Sequence, residues 1–235
     1  MEFYKLEANG NDFIITILDK PTSYNIKLIC DRYKGIGADG YINIDKKFNV
    51  DIYNNDGSKA NICGNGLRCL SKLLYQLTNK EHFTFYLNGN IINSYIYNNE
   101  IAVTMPSPMM IKQDNGYFVT LLNNHYIEFV KNINLFTFNE QHIQLCNENK
   151  CNMHAVEILN NNQIKMKTYE YGVGETSSCG SGSIAAFYVC YMLDKVNKEI
   201  SVISNGGKLT CKFENGKYIL QGNASYIYKG EYYGL

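Results

Sequence analysis

The sequence predicts an α/β protein made of two similar halves, and three observations predict it. Short runs of alternating apolar and polar residues dominate the chain, the pattern of half-buried strands. Two segments break that rhythm with helical spacing, one in each half. Each of these helices is introduced by nearly the same phrase, Cys63-Gly64-Asn65-Gly66 and Cys179-Gly180-Ser181-Gly182. A repeated phrase ahead of a repeated element marks a diverged internal duplication.

Taken in order, residues 41–44, 48–53, 83–87 and 101–105 alternate as strands, with turn signals at Asn88-Gly89-Asn90 and Asn98-Asn99. The first helix runs on from Asn65 and sets Leu67, Leu70, Leu74 and Leu77 on one apolar face. Pro106 and Pro108, in MPSPMM, are the best linker candidate. They predict domains over 1–107 and 108–221. A weaker helix covers about 138–145. Strands at 156–158 and 164–166 flank three asparagines, and others surround Asn205-Gly206-Gly207 and Asn215-Gly216. The second strong helix, SIAAFYVCYML after Gly182, is apolar almost all round, which predicts a helix enclosed by other structure.

Composition narrows the function classes. The 22 basic and 22 acidic residues cancel and form no block of like charge, so the footprint of a nucleic-acid binder is missing. No stretch approaches the roughly 20 apolar residues that span a bilayer. The opening MEFYKLEANGNDF is too polar for a signal peptide, and a cytoplasmic location follows as the expectation. In that compartment eight cysteines predict thiols rather than a disulfide framework. No CxxC pair occurs, and neither His82 nor His125 has a partner at ligand spacing, so no metal site is predicted. Cys30, Cys190 and Cys211 sit among apolar neighbours and read as small core residues.

Cys63 and Cys179 read differently. Glycines let the backbone turn tightly and approach a ligand. The free amides and positive dipole end of a helix start bind anions, and the same field favours thiolate over thiol. Two such phrases predict a site served by both helix starts, with one substrate carboxylate held by their amides. This suits removal of the α-proton of an amino acid, where negative charge develops beside a carboxylate. One thiolate takes the proton, the other thiol returns one to the opposite face, and the stereocentre inverts.

Around these phrases the sequence resembles the diaminopimelate epimerase family over nearly its whole length. Asn9-Gly10-Asn11-Asp12-Phe13 resembles its GNDF opening, and Gly35-Ile36-Gly37-Ala38-Asp39-Gly40 its G-x-G-x-D segment. NNDGSKANICGNGLRC (54–69) and EYGVGETSSCGSGS (170–183) resemble its two cysteine motifs. The resemblance implies two pseudo-symmetric domains, each a curved, barrel-like sheet around a central helix, with a final strand at about 222–235 returning to the first. It also implies two-cysteine inversion that needs no cofactor, neither pyridoxal phosphate nor metal. By the same resemblance Asn11, Asn54, Asn123 and Asn152 match asparagines of the substrate pocket, and Glu170 matches a glutamate near the substrate ammonium. Gly64, Asn65, Gly180 and Ser181 supply the amides around the carboxylate.

One departure bears on the substrate. The family carries arginine after that glutamate to hold a distal carboxylate; here the residue is Tyr171, which offers a hydroxyl and a ring in place of a bidentate cation. Lys59 and Arg68 are the other cations considered for that task. The opening histidine of the family phrase is also replaced, leaving Glu7-Ala8-Asn9, and Gly40 stands where glutamine is frequent. His154, close to Asn152, adds to the case for a neutral or aromatic substrate side chain. The leading expectation is a racemase of an amino acid without a distal carboxylate, such as histidine. The alternatives are an epimerase of diaminopimelate or lanthionine and a silent amino-acid-binding paralogue. The partner is then a small amino acid rather than nucleic acid or membrane, and the sequence leaves the oligomeric state open, a homodimer included.

Overall fold

A computed structural model describes residues 1–19, 24–98, 100–113 and 115–234; Asn99, half of one predicted turn signal, lies outside them. The α/β class is the observed one: many strands and few helices. The chain forms two compact units, Met1–Val103 with Gly222–Leu235, and Thr104–Gln221.

In the first unit, β1 (Glu2–Ala8) and β2 (Asn11–Ile17) form a hairpin closed by Asn9-Gly10, with φ of 52° and 82°. Positive φ at both turn positions matches the right-handed twist of the strands, which is why Asn-Gly occurs there. A short helix, α1 (Ile26–Cys30), precedes β3 (Gly40–Ile44) and β4 (Val50–Asn54). The sheet runs β1-β2-β3-β4, with β2 and β3 parallel. Helix α2 (Gly64–Thr78) follows, then a meander of β5 (His82–Leu87), β6 (Asn90–Tyr97) and β7 (Glu100–Met105).

Helix α2 packs on β1, β2, β3 and β6. Its buried leucines differ from the predicted stripe at two positions: Leu73 is buried along with Leu67, Leu70 and Leu74, whereas Leu77 is 49% exposed. The last turn emerges from the strands and stops at Asn79, a left-handed cap with φ 55°. Each buried leucine stabilises the packing by roughly 1.5–3 kcal/mol.

The second unit holds β8 (Met109–Lys112), β9 (Tyr117–Leu121), β10 (Asn123–Phe129), α3 (Glu140–Asn149), β11 (Asn152–Asn160), β12 (Gln163–Glu170) and β13 (Gly174–Thr176). It continues with α4 (Gly180–Met192), β14 (Glu199–Ser204), β15 (Gly207–Glu214) and β16 (Lys217–Gly222). The strand order is β16-β15-β14-β12-β11-β10-β9-β8, with β13 on β12. Helix α3 begins two residues later than predicted because Asn139 caps it, in a reciprocal capping box with His142. Helix α4 packs on β9, β10, β11, β14 and β15. Ile184, Ala185, Ala186, Phe187, Val189 and Cys190 are all fully buried, as an all-round apolar helix requires. Finally β17 (Ser225–Glu231) pairs antiparallel with β1 in the first unit. Among the described residues no helix is long and apolar enough to cross a membrane.

Candidate active site

In the first unit Cys63 is the N-cap of α2, with extended backbone (φ −142°, ψ 105°). Its Sγ accepts the N–H of Gly66 at 3.4 Å. Gly66 is there for space: a β-carbon would lie 2.8 Å from Ile42 Cδ1, on the strand beneath. Gly64 and Asn65 are the first two helical residues, so their amides fall outside the helix's own hydrogen bonds.

Asn65 is held from two sides. Its Nδ2 donates to Asn11 Oδ1 at 2.6 Å, and its Oδ1 accepts from Arg68 Nη2 at 2.9 Å. Arg68 is fully buried and also donates to Asn9 Oδ1, Gly64 O and Asn223 O. The guanidinium thus ties the β1–β2 turn, the start of α2 and the C-terminal segment together.

The two glycine-rich motifs of this unit meet through Asp12 and Asp39. Asp39 N donates to Asp12 Oδ1 at 2.9 Å and Asp12 N to Asp39 Oδ2 at 3.2 Å. Burial alone would raise the Asp12 carboxyl, but hydrogen bonds from Arg32 and Lys5 hold it well below the usual carboxylate range. Asn54 is the exposed last residue of β4, paired opposite Gly40, and its Nδ2 donates to Ser58 Oγ at 2.9 Å. Lys59 pairs with Asp51 at 2.6 Å.

The second unit repeats the cap. Cys179 is the N-cap of α4 (φ −126°, ψ 109°), and its Sγ accepts the N–H of Gly182 at 3.4 Å. Ser181 Oγ lies 3.6 Å and Asn152 Nδ2 3.9 Å from the same sulfur. Gly180 and Ser181 begin the helix as Gly64 and Asn65 do in α2.

Asn152, at the start of β11, links this cap to the β12–β13 turn. Its Oδ1 accepts from Tyr171 N at 3.0 Å and its Nδ2 reaches Glu170 Oε2 at 3.5 Å. Thr176 Oγ1 donates to Glu170 Oε1 at 2.7 Å, fixing the carboxylate. The turn relies on Gly172 and Gly174 at φ of 75° and 105°. The structure thus brings Asn152, Glu170, Tyr171, Cys179 and Ser181 together, with the Tyr171 side chain 45% exposed. Asn123 opens β10 beside Leu122, which has φ 63°.

Beneath the start of α4 lie two histidines, both fully buried. Burial alone pushes the His125 imidazole down to about 3. Burial, together with its neighbour His125, pushes that of His154 well below the usual value. Both rings are therefore neutral at physiological pH. A β-carbon at Gly182 would overlap the His154 ring at Cε1. Gly182→Ala is accordingly expected to displace either the ring or the helix start and to lower stability by about 1–3 kcal/mol. A thermal melt checks this; an unchanged Tm would mean that the ring moves aside freely.

The other thiols have a different environment. Burial pushes Cys30, Cys151 and Cys190 up to about 12, and Cys69 well above its ordinary value. Each stays protonated in the core. Cys63 and Cys179 instead cap helix N-termini and receive N–H donors.

Three contributors were not singled out from sequence. Thr176 and the holding role of Arg68 follow from motif neighbours, since Arg68 stands three residues after Asn65 on one helix face. The joining of His125 to His154 has no local signal, because the pairing of β10 with β11 creates it.

A family model described as diaminopimelate epimerase matches residues 3–111 and 117–227. A diaminopimelate epimerase of Campylobacter jejuni (strain 81116) is 30% identical over 251 residues, covering 99% of each chain. One from Prochlorococcus marinus is 33% identical over 277 residues, covering 97% of this chain and 98% of its own. The crystal structure of a PhzF-family phenazine biosynthesis protein from Bacillus anthracis shares the fold, with a TM-score of 0.77 at 14% identity over 98% of both chains.

Proposed function

The chain belongs to the diaminopimelate epimerase family, and we propose that within it Cys63 and Cys179 form the thiolate–thiol pair of a racemase acting on an amino acid without a distal carboxylate, histidine being the leading candidate. That the protein is an isomerase, an amino-acid racemase or epimerase, follows from the family. The observation that carries the finer reading is the matched cap: each of these sulfurs accepts a helix N–H, from Gly66 and from Gly182, at 3.4 Å.

An N–H donated to sulfur and the positive helix end both favour the thiolate. The thiolate removes the α-proton, and the opposing thiol delivers its own proton to the other face of the α-carbon. The sulfurs exchange charge in each turnover and reset in the reverse direction. Amides at the two helix starts, those of Gly64 and Asn65 and of Gly180 and Ser181, oppose the charge that develops at the carboxylate. Glu170, fixed by Thr176, suits the ammonium group. In this reading Asn11, Asn54, Asn123 and Asn152 line the pocket as polar positioners.

The substrate assignment rests on Tyr171. A phenol beside Glu170 leaves a distal carboxylate without a bidentate cation there. The other cations considered have partners: Lys59 holds Asp51, and Arg68 holds Asn9 and Asn65. A second reading, diaminopimelate or lanthionine epimerisation, is favoured by the near-complete overlap with relatives named as diaminopimelate epimerases.

The deciding experiment is a panel of L-amino acids in deuterium oxide with reduced enzyme, followed by NMR and chiral chromatography. Histidine is expected to exchange its α-proton and invert faster than diaminopimelate. Faster turnover of diaminopimelate would replace the first reading by the second. No exchange with any amino acid would leave only a binding protein. Tyr171→Arg is expected to lower kcat/KM for a neutral substrate by at least about tenfold, or 1.4 kcal/mol. Unchanged preference would show that Tyr171 does not set specificity.

A further inference from the structure

Two imidazoles and a thiol converge beneath the N-terminus of α4. His125 comes from β10, His154 from β11 and Cys179 from the helix cap, and one donor atom of each lies within 4.8 Å of the other two. All three are buried. His154 Nδ1 sits 3.0 Å from Thr168 Oγ1, and His154 Nε2 sits 2.9 Å from His125 Nδ1. Among the described residues His125 Nε2, at the end of this row, has no hydrogen-bond partner.

The row has two proton arrangements. If His154 donates to Thr168, His125 donates to His154 and its Nε2 carries a bare lone pair. If Thr168 donates instead, the direction reverses and His125 Nε2 carries an unmatched N–H. Either way a buried polar atom is left over, and such an atom costs about 1–3 kcal/mol. Two imidazoles and a thiol gathered in one buried place are a set of soft donors that a metal ion can bind.

We propose that His125, His154 and Cys179 form a binding site for one thiophilic divalent ion of the zinc class, and that filling it withdraws Cys179 from racemisation. The inhibitory half rests on the reading of Cys179 as an acid–base thiol; the binding half does not. Imidazole and thiolate donors select zinc-like ions over magnesium or calcium. The contact of His154 Nδ1 with Thr168 is the kind of outer-shell support that orients a ligating histidine, leaving Nε2 for the ion.

With bonds of about 2.3 Å to sulfur and 2.0–2.1 Å to nitrogen, donors around zinc stand roughly 3.3–3.6 Å apart. To reach that range the two ring nitrogens, now 2.9 Å apart, part by about 0.5 Å and give up the hydrogen between them, and the Cys179 sulfur, within 4.8 Å, closes in by at most about 1.3 Å. Three protein donors leave the fourth position to a water or small ligand. On binding, the thiol proton passes to buffer and the sulfur lone pair bonds the ion. Both imidazoles bind in their neutral form, so the proton released is that of the Cys179 thiol, at most one per ion. The ligands are covered, so the onset of inhibition is expected to be slow and reversible by chelator.

The test uses the full chain, reduced and stripped by chelator. Zn²⁺ is titrated calorimetrically in two buffers of different ionisation enthalpy, and Co²⁺ by absorption spectroscopy. The expected result is one ion per chain, no more than one proton released, and a thiolate-to-cobalt charge-transfer band that Cys179→Ser removes. His125→Gln and His154→Gln are each expected to weaken Zn²⁺ binding at least about 100-fold. Circular dichroism confirms folding, and one folded variant suffices. Failure of the wild type to bind Zn²⁺, a cobalt spectrum without the band, or unchanged affinity in a folded variant overturns the site. Zinc-loaded enzyme that still racemises overturns the inhibitory half. A chelated enzyme that binds Zn²⁺ yet racemises nothing sinks the functional reading and supports the site.

Discussion

Cys63→Ala and Cys179→Ala are each expected to lower inversion of the substrate by about 10³-fold or more, within the 10²–10⁴ range for loss of a positioned acid or base. The two variants should fold, since each removes only a cap whose loss costs about 1 kcal/mol. Their failure should be one-sided. On the proposed two-thiol reading, the remaining thiol is a base for one enantiomer, and the acid that completes inversion is missing. Deuterium is therefore expected to enter one enantiomer without change of configuration, and the two variants should show opposite preferences. Chiral chromatography with NMR in deuterium oxide reads both quantities. Inversion within tenfold of wild type in either variant would rule out the two-base mechanism.

The largest effect on stability is expected at Arg68. Arg68→Met removes a fully buried guanidinium that donates to Asn9, Asn65, Gly64 and Asn223. Hydrogen bonds to a charged group contribute about 1.5–3 kcal/mol each, and acceptors left dry add a penalty. Methionine recovers part of this through apolar packing, so a net loss of roughly 3–5 kcal/mol is expected. For a chain of this size that corresponds to a fall in Tm of about 10 °C. Thermal and urea unfolding measure it, and a shift below about 2 °C would mean that these bonds are replaced by water. KM is also expected to rise, because Asn65 loses the partner that orients it.

The helices and many strands could be read in advance because their signals are local. Leucine spacing marks α2, continuous apolarity marks α4, and Asn-Gly pairs mark hairpin turns such as Asn88-Gly89, with φ of 49° and 76°. Strands β1 and β2 escaped a reading based on alternation because both carry four consecutive buried residues. A strand covered on both faces loses the period of two on which that reading depends. Leu77 was misassigned for the related reason that periodicity gives a face but not the length over which neighbours cover it.

The sequence by itself determined the α/β class, the two capped helices and the resemblance that singles out Cys63 and Cys179. A glycine-rich phrase ahead of a helix dictates its own geometry, since every atom concerned lies within four residues. Only the tertiary structure decided the long-range partners: Arg68 on Asn9 and Asn223, and His125 beside His154 and Cys179 under α4. Strand pairing brings His125 to His154 across a separation no sequence period records. The same burial that closes the pairs keeps both imidazoles neutral.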